Sequence, residues 1–116
     1  MNEVTVFIII TQTANCQHIR KGTHIMIFQA HKGVSTENPE NTMPAFVAAV
    51  QQGYQIIELD VSVTKDLKFV LLHNSTINKT ARHENGDLIT DEIKINDITY
   101  QEALQYEFGV WFSESF

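Results

Sequence analysis

Two acidic residues, Glu58 and Asp60, stand two positions apart in an otherwise apolar segment running from Gln55 to Val63. Ile56, Ile57, Leu59, Val61 and Val63 around them read as a buried strand, so both carboxylates project from one face of it. Such a pair is costly to bury without a partner. A hard divalent cation resolves that cost, and oxygen ligands suit magnesium or calcium. The other reading is a strand with one solvated face, although Ile56 and Ser62 keep that face from being uniformly polar. His31 follows one apolar run and His73 follows another. In a parallel α/β sheet the C-terminal strand ends gather at one rim, where two histidines could serve as general acid and general base. Read singly, each is as readily a hydrogen-bonded structural residue. His18, His24 and His83 have no such context and read as surface residues.

The elements that must hold these groups follow from periodicity and turn chemistry. Ile25 to Phe28 is a continuous apolar run, which predicts a strand buried on both faces and ending at Ala30-His31-Lys32-Gly33. A polar loop over 34–41 leads to a helix capped by Thr42, with Pro44 in its first turn. Ala45, Phe46, Ala49 and Val50 form its apolar face, and Gly53 stops it. The strand bearing Glu58 and Asp60 comes next. This βαβ order predicts a parallel first pair with a right-handed crossover. Lys65 to Lys68 then turns into a third strand, Phe69 to Leu72, either as a hairpin or as a barrel connection whose helix has been lost. Residues 75–97 are irregular, with a turn at Gly86-Asp87. Thr99 to Glu102 resembles a capped helix start, with Ala103, Leu104 and Phe108 on one side.

Composition bounds the rest. The chain has 116 residues, 43% of them hydrophobic and 19% charged, which predicts a packed globule rather than a disordered chain. Its 8 basic residues against 14 acidic ones give a net charge of -6, which argues against a nucleic-acid partner and leaves room for a small phosphorylated ligand at a local site. The single cysteine, Cys16, excludes a disulfide framework and a cysteine-rich zinc site, and fits a cytoplasmic setting. No apolar run approaches the ~18 residues that span a membrane, so membrane association is not indicated. Val4 to Ile10 is too short for a secretory signal and follows Glu3 rather than basic residues, so a strand or an upstream remnant is the better reading. Residues 11–23 are polar and read as a connector. Two glycosylation sequons, at Asn74 and Asn78, are discounted in the absence of such a signal.

Four motifs in order carry a resemblance. Ala30-His31-Lys32-Gly33, then Pro39-Glu40-Asn41-Thr42 with Ala45-Phe46, then Glu58-Leu59-Asp60-Val61 with Thr64-Lys65-Asp66, then Leu72-His73-Asn74 together resemble the glycerophosphodiester phosphodiesterase family. The stretch from Leu104 to Phe112, with Gly109-Val110-Trp111-Phe112-Ser113, is similar to that family's small insertion. The resemblance implies a TIM barrel. It also implies hydrolysis of a small-molecule glycerophosphodiester to an alcohol and sn-glycerol 3-phosphate, with calcium or magnesium, in lipid and glycerol metabolism. Carried over, His31 and His73 are the acid and base, Glu58 and Asp60 are metal ligands, and Lys32 and Glu40 lie at the substrate. Three positions depart from the family's usual residues. Lys32 replaces an arginine, which keeps the charge and loses the two-pronged grip on phosphate. Asn74 replaces an aspartate, and Lys79 replaces an arginine.

The resemblance divides the chain into an N-terminal extension or connector over 1–23 and the N-terminal portion of a catalytic domain over 24–116. A full barrel takes ~250 residues, so three strands of an incomplete one are expected here. The family's third metal-binding glutamate falls on a later strand, and the isolated chain is expected to turn over poorly without it. The competing readings are a truncated, inactive remnant and a phospholipase D-like barrel enzyme. The Pro39-Glu40-Asn41-Thr42 loop favours the glycerophosphodiester reading over the latter.

Overall fold

The computed structural model describes residues 4–9, 27–113 and 115. The connector, with Cys16, His18 and His24, lies outside the described residues, as do Ile25 and Met26. The sheet is built on one long strand. β1 (Val4–Ile9), β2 (Gln29–His31), β3 (Ile56–Val63) and β4 (Phe69–Leu71) form a four-stranded sheet in which every other strand pairs with β3. β2 runs parallel to β3, with His31 opposite Glu58, as the βαβ pattern predicts. β1 runs antiparallel along the other edge, from Val4 opposite Val61 to Ile9 opposite Ile56. Val61 also pairs with Leu71, so β4 lies on the same edge of β3 as β2, further along it.

The third strand is therefore a hairpin partner and not a further parallel barrel strand. The reason is length: a parallel return needs a crossover of a dozen residues or more, and Thr64 to Lys68 is a tight turn. The Thr64 N–H donates to the Lys68 carbonyl at 2.9 Å, and Leu67 takes a left-handed φ of 60°. The first strand also differs from its prediction. It forms over Gln29–His31, in register with Ile56 to Glu58 of β3, while the Phe28 carbonyl accepts from the Gln55 and Ile56 N–H groups. Ala30 alone of the three is buried, and Ile27 and Phe28 are more than half exposed.

α1 (Met43–Gln51) connects the parallel pair. Thr42 occupies the N-cap position, but its hydroxyl donates back to the Pro39 carbonyl at 2.6 Å instead of accepting from the helix. Ala45 and Ala49 are fully buried, and the helix packs beside Ala30, Val34 and Ile57. Phe46 packs against this core as predicted, whereas Val50 is exposed. The small residues permit a close approach. Gly33 lies with φ at 80°, and a Cβ there would sit 2.7 Å from the Ala45 backbone.

A second core gathers after β4. Leu72, Ile77, Ala81, Ile95 and Ala103 are buried together, with Val70, Tyr106 and Phe108 packed against them. Asn78 ties this irregular lobe. Its amide donates to the carbonyls of Ile89 and Asp91, and its Oδ1 accepts from the Ile93 N–H. The predicted helix exists as one turn, α2 (Tyr100–Ala103), closed by the capping box between Thr99 and Glu102. Leu104 is exposed, contrary to its predicted place beside Ala103, because the chain leaves the helix there for β6 (Tyr106–Glu107), which pairs with β5 (Arg82–His83). Asp66 joins the lobe to the β3–β4 turn by accepting from the Thr64 hydroxyl and the Tyr100 N–H. Those two bonds hold its carboxyl below the usual carboxylate range. No helix among the described residues is long and apolar enough to cross a membrane.

The closeness of Gly33 to α1 yields a test. Gly33→Ala should lower stability by about 2–4 kcal/mol, from the left-handed backbone and the overlap together. Urea unfolding would measure this, and a loss under 1 kcal/mol would mean that the contact with Ala45 is looser than described.

Candidate active site

The strand arrangement delivers the chemistry to one level of β3. Glu58 and Asp60 are both buried there. β2 ends at His31, opposite Glu58, and the antiparallel return of β4 brings the Leu72 N–H to the Asp60 carbonyl at 3.1 Å. His73 follows immediately. His31 thus arrives at the end of a parallel strand, as predicted, while His73 arrives from a hairpin running the other way. His31 Nε2 lies 3.8 Å from Glu58 Oε2, and His73 Nδ1 lies 3.4 Å from Asp60 Oδ1. The histidine side chains are 68% and 43% exposed, against 7% and 5% for the carboxylates. Each ring is therefore open to solvent above a buried acid.

The carboxylates are held from below by neutral donors. The Lys32 N–H donates to Glu58 Oε2 at 2.9 Å. Its backbone sits in the left-handed region, φ 59°, as the chain turns away from β2. The Asn41 amide donates to Asp60 Oδ2 at 3.0 Å. Lys32 contributes its ammonium elsewhere. That side chain is only 7% exposed and pairs with Glu40 Oε1 at 3.3 Å, while Lys79 reaches Glu40 Oε2 at 3.2 Å. All six residues singled out from the sequence thus fall in one region, but in two groups: the carboxylates with their histidines, and Glu40 with Lys32. In the sequence Lys79 stands out only as a departure from the family and Asn41 only as part of a motif. The signal for Lys79 was its charge in an otherwise polar loop, and that for Asn41 was a residue type tolerant of positive φ.

The charge balance says what the site can bind. Among the described residues, the ion-pair partners of Glu58 and Asp60 within 4 Å are His31 and His73, and no lysine or arginine. The two buried carboxylates are therefore met by backbone and amide N–H groups and by the imidazoles, without a permanently charged cation. His73 Nδ1 is itself buried and makes no hydrogen bond. The chemistry of this all-oxygen pair fits a hard divalent cation, which Glu58 and Asp60 would hold. No group of three or more histidine, cysteine, aspartate or glutamate residues is placed for a metal among the described residues. Water and substrate oxygens would have to complete the shell, as is usual for magnesium. A small cavity of about 60 Å³ opens beside the pair, lined by Glu40, Asn41, His73, Thr80 and Phe108 among others.

A parallel βαβ unit and the hairpin that follows it thus set a carboxylate pair between two histidines at one end of an α/β sheet, an arrangement suited to acid–base chemistry. The chain belongs to the glycerophosphoryl diester phosphodiesterase family, whose family model matches residues 31–116. A glycerophosphodiester phosphodiesterase of Caldanaerobacter subterraneus is 37% identical over 87 residues, covering 75% of this chain and 32% of the relative. The crystal structure of glycerophosphodiester phosphodiesterase from Agrobacterium tumefaciens superimposes with a TM-score of 0.69 at 27% identity, covering 79% of this chain and 36% of that one. That from Thermotoga maritima gives 0.57 at 28% identity, over 81% and 39%. The chain spans about a third of the length of the curated relatives it matches.

The two lysines at Glu40 differ in a measurable way. Glu40→Gln strands the buried Lys32 ammonium and should cost about 3 kcal/mol in urea unfolding. Lys79→Met removes the half-exposed partner and should cost no more than about 1 kcal/mol. Equal losses would contradict the assignment of the buried pair as the structural one.

Proposed function

We propose that this site hydrolyses a glycerophosphodiester to an alcohol and sn-glycerol 3-phosphate. The observation that carries the reading is the pair of solvent-facing histidines set over two buried carboxylates, in a chain whose relatives bear that activity's name. A divalent cation held by Glu58 and Asp60 would neutralise phosphate oxygens and polarise the phosphorus. The histidines do the proton work. One, neutral, takes the proton of the attacking hydroxyl, from water or from a glycerol hydroxyl of the substrate. A new P–O bond forms as the bond to the alcohol breaks. The other, protonated, gives its proton to the departing oxygen. If a glycerol hydroxyl attacks, water opens the cyclic phosphate in a second step with the roles exchanged. Glu40 borders the cavity beside His73, and its two lysine partners bring one net positive charge to that cluster, which suits a phosphodiester anion.

In this reading β2 and β3 are neighbouring strands of a TIM barrel, and the stretch from Leu104 to Phe112, whose Tyr106 and Phe108 pack on the second core, belongs to the family's insertion. No closed barrel forms among the described residues. The ligand set they supply is short of a full cation shell, which favours weak turnover by this chain alone. Purified chain with calcium or magnesium and glycerophosphocholine should release glycerol 3-phosphate slowly. His31→Ala and His73→Ala should each lower the rate by about 10²–10⁴, and chelator should abolish it. Release that survives chelator or both substitutions would overturn the proposal.

A further inference from the structure

We propose that Asn41 is the positioning residue for Asp60, and that its side-chain amide sets the affinity of the cation site. The inference rests on the reading of Glu58 and Asp60 as cation ligands and goes beyond it to a residue that would touch no ion.

Asn41 is buried and makes a two-point contact with one residue. Its Nδ2 donates to Asp60 Oδ2 at 3.0 Å, and its Oδ1 accepts from the Asp60 N–H at 3.0 Å. The orientation of the amide is fixed by these partners, since turning it over would set oxygen against carboxylate and N–H against N–H. The contact fills a gap in the sheet. β2 pairs with β3 no further than Glu58, and β4 pairs with it from Val61 onward. Between them the Asp60 N–H meets the Asn41 oxygen in place of a strand carbonyl. The Asn41 backbone is anchored in turn, its N–H donating to the Lys32 carbonyl at 3.0 Å. Lys32 is the residue whose own N–H holds Glu58. One short loop therefore fixes both carboxylates, one through each end of the Lys32–Asn41 bond.

The hold on Asp60 engages Oδ2 and turns Oδ1 toward His73, 3.4 Å away. Without it the Asp60 side chain is free to rotate out of that alignment. Asparagine meets these demands together: its φ of 59° costs it less than most residues, and aspartate at 41 would keep the acceptor while facing Asp60 with like charge.

Asn41→Gly is the appropriate variant, because glycine keeps the left-handed backbone and deletes the amide alone. Calcium titrations of the wild-type chain and of the variant, by calorimetry on samples shown to be folded by circular dichroism, should show affinity weakened 10–100-fold, the usual effect of removing a residue behind a metal ligand. A folded variant that binds within twofold of wild type overturns the proposal alone. A wild-type chain that binds neither calcium nor magnesium overturns the cation reading, and the proposal with it. A further readout needs no variant. In wild-type protein the NMR signals of the Asn41 side-chain amide should shift as calcium saturates the site, and signals that stay fixed through saturation overturn the proposal.

Discussion

The burial of Glu58 and Asp60 on β3 is the constraint around which the chain is arranged. A central strand buried on both faces is ordinarily all apolar. This one carries two acids at adjacent positions on one face, 5% and 3% exposed. Removing them from water is expensive, and the protein meets the expense with N–H dipoles and imidazole rings. The Lys32 N–H, the Asn41 amide and the two imidazoles surround the pair, while the lysine ammonium groups are kept at Glu40. Had Lys32 turned its ammonium toward Glu58, one of the two carboxylate charges would be compensated within the fold. The left-handed turn at Lys32 and the buried bond to Glu40 prevent this.

The fold around β3 follows from delivering those partners. A parallel strand can bring His31 alongside Glu58, but a second parallel strand on the same edge could not reach Asp60, because β2 already occupies it. The hairpin does so by returning along the unfilled length of that edge. β1 covers the opposite edge with a further antiparallel pairing, so that β3 exposes no unpaired backbone to other chains along Ile56 to Val61. The second core, built on Ile77 and Ile95, is fastened to the hairpin turn through Asp66 and the Tyr100 N–H, which steadies the strand that leads into His73.

Much of this was legible in the residues. The alternation around Glu58 and Asp60 put both acids on one face, the βαβ order made the first pair parallel, and Gly53 marked the end of α1. The errors have physical causes. Ile27 and Phe28 look like core because they are apolar, yet whether they are covered depends on where β3 begins to pair, which is a long-range fact. Thr42 looks like a cap because of its type, yet the Pro39 carbonyl competes for its hydroxyl. The fate of the Lys32 side chain was invisible because its charge suggests exposure and a ligand. Its burial depends on a glutamate 8 residues away and on a backbone angle that no periodicity reports.

Thermal unfolding of the chain across a calcium or magnesium titration tests the central claim most directly. If the buried pair is uncompensated until a cation arrives, the midpoint rises with cation concentration, by the equivalent of about 2.7 kcal/mol at a hundredfold excess over Kd. The double variant Glu58→Gln, Asp60→Asn should lose that rise and be no less stable than wild type without cation. A wild-type midpoint that stays put, or an equal rise in the double variant, would contradict the account.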